Sequence, residues 1–411
     1  MRRLAWLDAL RGLAAVTVVL FHLSPQVIGT GPHLAVLRHI DLGKYAVLLF
    51  FLVSGYVIPM SLERHGSLRR FWIGRLCRVY PAYLATIALF AVLATAGLLH
   101  WPASLRAETG AGLLAHVTMM PDLVGVRGVV RVFWTLSYEM VFYLIVAGLF
   151  AWRGHRHSAW YAGGLGLLAV LAGPHLPDAL LVSSRQDRRV LAAVLVLVVV
   201  LTVALQIRGL VAGAIGVAFV LLPALNGHPG AGSTVTSSQQ GLLLLAVMFA
   251  GTVVYRWQHG QTGRAAGLTA LTVVTAGLID TQKIWTVLAV MATFLSAYVL
   301  RTRAMPRALT WLGQVSYSLY LLHVPVLFLM PRLVPEIGTA TLPIRVAAGL
   351  TYVILVLALA GLSYRMVEQP GQALGRHLLR AIDTHPPRHR QTTTERAASG
   401  TRRGENSRES V

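Results

Sequence analysis

The chain has 411 residues, of which 55% are hydrophobic and 12% charged, and its mean hydropathy is +0.64. Ordinary soluble domains carry about twice that share of charged residues, so the composition excludes one and indicates a membrane protein. The net charge of +21 is spread over short loops between apolar runs, which argues against a nucleic-acid partner. The only cysteine, Cys77, rules out an internal disulfide and a cysteine-based metal site, and we expect no metal.

Apolar runs close to the ~20 residues that cross a bilayer recur over most of the chain. They predict an all-α fold, a polytopic bundle of about ten to twelve transmembrane helices in the cell membrane. The pair 190–207 and 209–225 is the weakest part of this prediction, because almost nothing separates its two members. The twelve predicted spans are 10–27, 45–62, 82–99, 133–151, 160–176, 190–207, 209–225, 241–255, 265–279, 284–300, 311–330 and 344–364.

The distribution of arginine along the loops predicts the orientation of the bundle. Arginines concentrate in every second loop, while the opposite loops include the charge-free stretch 226–240. By the positive-inside rule, both termini are expected in the cytoplasm. Residues 1–370 then form one transmembrane domain, and residues 371–411, rich in Arg, Thr, Ser and Pro, are expected to be a disordered cytoplasmic tail.

Few ionisable groups lie deep inside the predicted spans, and each is costly enough there to require a reason. With a rise of 1.5 Å per residue, His22 and His323 both lie roughly 18 Å from the inner edge of the bilayer, and Glu139 lies about 21 Å from it. Ser54 arrives roughly mid-membrane as well. A histidine held by a carboxylate is the usual general-base arrangement, and Glu139 is the only deep carboxylate, so the shared depth favours a functional site.

Two arginine pairings add to this prediction. Arg11 and His22 are eleven positions apart, very close to three helical turns, and therefore project from one face of the first helix. Arg75 and Arg78 are at i and i+3 on what we expect to be a short inner-loop helix stopped by Pro81. Such a pair suits a phosphorylated cytoplasmic ligand, although positive-inside topology alone would place some arginines there.

At these residues the chain resembles the acyltransferase 3 family of integral-membrane acyltransferases. The resemblance covers residues 6 to 370, and its motifs follow in the family's order. They are Arg-x10-His from Arg11 to His22, FFLVSGY at 50–56, FWIGRLCRVYP at 71–81, WTLSYEMVFY at 134–143, SYSLYLLH at 316–323 and YRMVEQP at 364–370.

The resemblance implies transfer of an acyl group, most often acetyl, from acyl-CoA to a hydroxyl of a carbohydrate or glycosylated metabolite. It implies that Arg11 and His22 are the catalytic first-helix pair, that Arg75 and Arg78 contact CoA, and that Glu139 is the acid of the fourth-helix motif. Some relatives carry a soluble C-terminal hydrolase-like domain. The polar tail of this chain is too short for one, so a stand-alone enzyme is expected.

The predicted mechanism uses His22 as the general base on the acceptor hydroxyl, with Glu139 supporting the imidazolium. Acyl-CoA is the expected co-substrate, with its phosphates on Arg75 and Arg78, and no cofactor is expected. Arg11 lies roughly 16 Å from His22 along the helix, so we assign it to the donor path or to pairing with Asp8. Residues expected to position the substrates are Ser54, Tyr143, Ser316, Tyr320 and His323.

Two alternatives remain open from the sequence. A proton-coupled transporter would use His22, Glu139 and His323 as a relay, since intramembrane ionisable groups also mark such pathways. Alternatively, the chain exports acylated products or transfers a succinyl rather than an acetyl group. An acyl-enzyme on His22 or Ser54 is a further possibility.

Overall fold

The computed structural model describes residues 4–204, 210–227, 235–335 and 337–383, which form helices and turns without a β-strand. In a bilayer every backbone polar group must be paired within the protein, and helices achieve this along an apolar run. The helices are α1 (Ala5–Val27), α2 (Thr30–His39), α3 (Leu42–His65), α4 (Leu68–Thr95), α5 (Ala103–Ala107), α6 (Thr109–Val117), α7 (Trp134–Ala151), α8 (Ser158–Leu171), α9 (Arg185–Ala204), α10 (Leu210–Ala218), α11 (Leu221–Asn226), α12 (Ser238–Gln258), α13 (Arg264–Thr281), α14 (Ile284–Val299), α15 (Arg307–Leu333), α16 (Leu342–Ser363) and α17 (Gln369–Asp383).

The prediction of an all-α polytopic membrane bundle is confirmed, and each of the twelve predicted spans overlaps helical structure in the part of the chain that the structure describes. Among the described residues, eight helices are long and apolar enough to cross a bilayer. The number rises to nine if Ser158–Leu171 and the bent continuation Gly173–Val182 form one span. The weak pair at 190–225 corresponds to α9, which begins with several charged residues, and to the short helices α10 and α11.

Burial separates central helices from peripheral ones. In α7 and α12, 94% and 89% of the apolar window is buried inside the protein, whereas the value is 22% for α4, α14 and the span that begins with α16. The predicted site residues on α7 therefore lie at the centre of the bundle. The peripheral helices present their apolar side chains outward, as helices facing lipid do.

Close contact between α1 and α15 depends on two glycines. A Cβ at Gly12 would overlap the carbonyl of Leu309, and a Cβ at Gly313 would overlap the carbonyl of Asp8. Small residues let transmembrane helices approach in this way. The two helices run in the same direction, so residues equally far beyond the two glycines reach the same level.

Helix α4 differs from the sequence prediction. Pro81 was expected to stop a short helix before a span at 82–99, but α4 runs without interruption from Leu68 to Thr95. A proline inside a transmembrane helix is tolerated where neighbouring elements accommodate the unpaired carbonyl one turn earlier. Here Gly371 of α17 lies against Pro81 and the carbonyl of Cys77. Arg75 and Arg78 are consequently carried on a spanning helix.

Helical structure continues past residue 370, the predicted boundary between the transmembrane domain and the tail. After α16, a π-helical turn at Tyr364–Glu368 leads directly into α17, which continues to Asp383. The contact of Gly371 and Gly375 with α4 explains why residues 371–383 are helical despite their polar composition. The remainder of the predicted tail, 384–411, lies outside the described residues.

Candidate functional site

A narrow cavity of about 80 Å³ lies where α1, α3, α4, α7 and α15 meet, and we call it the arginine pocket. Aromatic and aliphatic side chains contribute to its lining. The polar residues that line it come from all five helices: Arg11, Ser54, Arg75, Arg78, Thr135, Glu139, Tyr143, Ser316, Tyr317 and Tyr320.

Glu139 is the only acidic residue among those that line the arginine pocket. Its Oε1 accepts hydrogen bonds from the Tyr143 hydroxyl at 2.7 Å and from the Ser54 hydroxyl at 3.1 Å. Tyr143 stands one turn after Glu139 on α7, while Ser54 comes from α3. One carboxylate therefore shares the cavity with three guanidinium groups, and the excess of positive charge suits an anionic ligand.

Arg75 is deeply buried, with 7% of its side chain exposed. Its guanidinium carbon lies 5.6 Å from the ring centroid of Tyr143 and 5.8 Å from that of Phe71. Both distances permit cation–π contact, which fixes the guanidinium plane. The expectation that Arg75 lies on a short inner-loop helix is wrong, because the uninterrupted α4 carries Arg75 into the bundle.

A second cavity of about 460 Å³, which we call the histidine pocket, lies further along α1. Val47 and Tyr320 line both cavities and form the wall between them. Its polar residues include His22, His33, Asp41, Lys44, Arg131 and Tyr320.

The rings of His22 and His323 lie together at the histidine pocket, with centroids 5.3 Å apart and an interplanar angle of 39°. His323 is fully buried, and its Nδ1 lies 2.7 Å from the carbonyl oxygen of Tyr320. A carbonyl can only accept, so Nδ1 carries the proton and Nε2 keeps a lone pair. That Nε2 is buried and has no hydrogen-bond partner within the described part of the chain.

Tyr320 is held rigidly between the two cavities. Its hydroxyl donates to the carbonyl of Val132 at 3.1 Å and lies 2.9 Å from the hydroxyl of Thr135. Ser316, one turn earlier on α15, donates to the carbonyl of Gly313 at 2.9 Å, so its hydroxyl is directed into its own helix. Of these two residues predicted to position the substrates, Tyr320 is the one whose hydroxyl contacts hold it in the wall between the cavities.

The structure brings most of the predicted site residues together, in two adjacent groups rather than one. Eight of the ten line the arginine pocket, His22 lines the histidine pocket, and His323 lies behind His22. The predicted contact between His22 and Glu139 is not present: within the described residues Glu139 bonds to Ser54 and Tyr143 instead. The rise of 1.5 Å per residue predicted similar depths for His22 and Glu139. It carries no information on how far apart their helices lie in the plane of the membrane.

The sequence analysis missed the charged residues of the histidine pocket. Lys44 donates to Gln240 at 3.1 Å and lies 5.1 Å from the ring centroid of Trp134. Asp41, which caps α3 by accepting from the Lys44 amide, and Arg131 line the same cavity. These residues stand at span ends, where charges are ordinary, so the sequence carried no signal for them.

Glu368 was also missed as a buried acid. Only 2% of it is exposed, and its Oε1 accepts hydrogen bonds from the amide of Ser318 at 3.1 Å and from the hydroxyl of the same residue at 2.5 Å. It follows the last predicted span, so hydropathy placed it at the membrane surface. Its contacts tie the π-helical turn to α15 within the segment that carries Tyr320 and His323.

The connection between α6 and α7 brings Arg131 to the histidine pocket and contains a buried acid. Burial raises the pKa of Asp122 to about 7, and nearby Arg127 opposes this shift. Its Oδ2 has no hydrogen-bond partner among the described residues. His116 anchors the same connection by accepting from the amide of Val129 at 3.1 Å, and burial lowers its pKa.

Comparison with known proteins identifies the class. An acyltransferase domain, that of the acyltransferase 3 family, matches residues 4–365 and so includes every residue of both cavities. The chain therefore belongs to the acyltransferase 3 family. No solved structure matches the chain.

Individual relatives match over shorter stretches. Acyltransferase MdmB of Streptomyces mycarofaciens is 31% identical over 152 residues, which cover 34% of this chain and 38% of that protein. Two Staphylococcus aureus proteins with the provisional name of O-acetyltransferase, SACOL0978 of strain COL and SAS0844 of strain MSSA476, are each 35% identical over 105 residues. Those residues cover 24% of this chain and 15% of each relative, so each alignment spans well under half of the relative's length.

Proposed function

We propose that the protein is a membrane O-acyltransferase of the cell membrane. It moves an acyl group, most simply acetyl, from acyl-CoA to a hydroxyl of a carbohydrate or glycosylated metabolite. We further propose that both chain termini lie in the cytoplasm, which places the arginine pocket toward the cytoplasmic end of α1. Acyl-CoA is the co-substrate, and the reaction uses no additional cofactor.

One observation carries this proposal. The cationic arginine pocket and the histidine pocket are neighbours along α1 and share Val47 and Tyr320 as a wall. Guanidinium groups donate charge-assisted hydrogen bonds to the carbonyl oxygens of the donor, while an imidazole in an adjacent, larger cavity suits a hydroxyl that must lose its proton. Donor and acceptor would therefore meet at the partition.

His22 acts as the general base in the proposed reaction. It accepts the proton of the acceptor hydroxyl as that oxygen attacks the thioester carbonyl carbon, and the carbon–sulfur bond then breaks. The leaving thiolate takes the proton back from His22, giving CoA and the acylated acceptor. With Nδ1 committed to the Tyr320 carbonyl, His323 has Nε2 free to accept an N–H from His22 and so select its tautomer.

Glu139 has a different role from the one expected from the sequence. Because it bonds to Ser54 and Tyr143 in the arginine pocket, we propose that it orients Arg11 and Arg75 for the donor. The carboxylate would also prevent three guanidinium groups from repelling one another before acyl-CoA arrives. Arg78 completes the donor contact.

The test is a transferase assay on membranes that contain the protein. Membranes are incubated with acetyl-CoA and an extract of host metabolites and glycans, while free CoA and acetyl mass gains are followed together. We expect CoA release and a new acetylated species, both absent with His22→Ala. His175→Ala is the matched control, since His175 is exposed and lies outside both cavities.

The same assay distinguishes the alternative functions. Succinyl-CoA supplied in place of acetyl-CoA tests the acyl group directly. Proton-coupled movement of a solute that depends on His22, without CoA release from any acyl-CoA, would replace the transferase by a transporter.

A further inference from the structure

A third cavity, of about 860 Å³, opens among the loops at the other end of the arginine pocket, and we call it the loop cavity. Its walls come from the start of α1, the end of α3, the α7–α8 connection and the end of α12. The mechanism proposed above uses none of its residues. Its polar and aromatic lining includes Tyr56, Glu63, Arg64, His155, Arg156, Tyr255, Arg256 and His259.

The three cavities follow one another in the same order along three helices. On α1 the order is Leu4, Arg11, His22, and on the antiparallel α3 it is Glu63, Ser54, Lys44. On α7, likewise, Phe150 lines the loop cavity, Glu139 the arginine pocket and Trp134 the histidine pocket. The loop cavity therefore precedes the arginine pocket on a line toward His22.

A cationic wall is built into the loop cavity. Arg256 is 1% exposed, forms an ion pair with Glu63 and donates to the side chain of Gln261 at 3.3 Å. Its Nε is buried and unpartnered among the described residues. Arg64 and Arg156 line the cavity with exposed side chains, so three arginines outnumber one acid.

Aromatic rings line the cavity beside these charges. Tyr255 lies edge-on to Tyr56 with centroids 5.3 Å apart and next to His259 at 4.7 Å, while Phe150 lies 5.0 Å from His155. Flat ligands stack on such rings, and phosphates bind arginine forks. Rings and cations in one cavity suit a nucleotide, which presents a flat base and phosphates.

The two cationic cavities, the loop cavity and the arginine pocket, differ greatly in volume. Ligand pockets usually measure about 300–1,000 Å³, a range that includes the loop cavity and excludes the arginine pocket. We infer that the loop cavity binds the phosphorylated nucleotide of the acyl donor, with its base against the tyrosine and histidine rings and its phosphate on Arg64 and Arg156. The inference rests on the proposed function, because it assigns acyl-CoA as the ligand.

The remaining part of the donor would extend from the loop cavity to the arginine pocket. Glu63 and Ser54 lie nine residues apart on α3, or about 14 Å along the helix axis. An extended phosphopantetheine arm covers such a separation, so Arg75 and Arg78 would contact the narrow arm rather than the nucleotide.

Direct binding of adenosine 3′,5′-bisphosphate, which lacks the arm and the thioester, tests the inference. The protein is placed in phosphatidylcholine nanodiscs and titrated by calorimetry. We expect Arg64→Gln with Arg156→Gln to weaken binding at least tenfold, and His259→Ala to weaken it severalfold. Arg303→Gln, an exposed loop arginine outside the cavity, should change it less than twofold.

Two results would overturn the inference while leaving the transferase intact. One is bisphosphate affinity that is insensitive to the loop-cavity variants but is lost with Arg75→Gln. The other is bisphosphate binding that disappears in nanodiscs containing phosphatidylglycerol, since that would assign the cavity to a lipid headgroup. Conversely, bisphosphate binding through Arg64 and Arg156 without CoA release from any acyl-CoA would retain the nucleotide site and contradict the proposed function.

Discussion

His22 and His323 each stand ten residues beyond a glycine at which α1 and α15 touch, Gly12 and Gly313 respectively. Because the two helices run in parallel, this equal spacing brings the two imidazoles to within 5.3 Å between centroids. The histidine pair is thus set by helix packing about 15 Å away along the axes. Both the chemistry and the stability of the site can be tested through it.

The first prediction concerns His323. His323→Asn keeps a donor near the Nδ1 position but removes the Nε2 acceptor, so kcat should fall about 100-fold, the lower limit of typical general-base contributions. His323→Gln, whose amide oxygen can approach the Nε2 position, should retain more activity. The pH dependence of kcat/KM is the decisive measurement: equal losses in both variants with an unchanged pH profile would make His323 a packing residue.

The second prediction concerns the donor arginines. Arg75→Ala and Arg78→Ala should raise the KM for acetyl-CoA at least tenfold, because each removes a charge-assisted contact of about 1.5–3 kcal/mol. Arg69→Ala, on the same helix but exposed, is the control and should leave KM within twofold. An unaltered KM in the buried variants would limit these arginines to setting topology.

The third prediction concerns the carboxylate of the arginine pocket. Glu139→Ala should abolish transfer while the protein stays in the membrane, because three guanidinium groups lose their shared counter-charge. Tyr143→Phe removes one hydrogen bond to that carboxylate and should cost about tenfold in kcat/KM. Steady-state kinetics on equal amounts of membrane protein distinguish the two, and full activity of Glu139→Ala would disprove the assignment.

The fourth prediction concerns the glycine contact between α1 and α15. Gly313→Ala should destabilise the protein by about 1–3 kcal/mol and lower kcat, since the added Cβ overlaps the Asp8 carbonyl and separates the helices. Gly74→Ala, inside α4 with open space around it, should be neutral or stabilising, because alanine favours helix by about 1 kcal/mol. Thermal unfolding in detergent measures both, and equal melting temperatures would refute the close contact.

The fifth prediction concerns Asp122 and pH. Its pKa is about 7 in the folded protein against the ordinary 3.8, so between these values the folded state holds a proton that the unfolded chain has released. Stability should therefore fall as pH rises through this window. Asp122→Asn, which stays neutral, should gain up to about 4 kcal/mol over wild type at pH 8 and little near pH 4. Exposed Asp280→Asn should show no such pH dependence, and a gain independent of pH would exclude ionisation as the cause.

Hydropathy and helical rise predicted much of this arrangement. The apolar runs located the helices, and the depth of the intramembrane groups placed Ser54 near the level of Glu139 and His22 level with His323, as the structure has them. Depth along a helix does not show which other helix is adjacent at that level. The predicted contact between His22 and Glu139 was wrong for this reason. The prediction that Pro81 ends a helix was also wrong. The glycine of α17 that accommodates this proline is 290 residues away in sequence, so local sequence could not reveal it.

The common order of the three cavities along α1, α3 and α7 bears on the energetic cost of acylating a molecule across a membrane. If the donor nucleotide stays in the loop cavity and the acceptor enters the histidine pocket from the opposite side, neither substrate has to traverse the bilayer. Only the uncharged acyl carbon passes the Tyr320 partition, so phosphates are never moved into hydrocarbon, where an isolated charge costs many kcal/mol. The direction of transfer would then follow from the supply of acyl-CoA in one compartment, without an ion gradient.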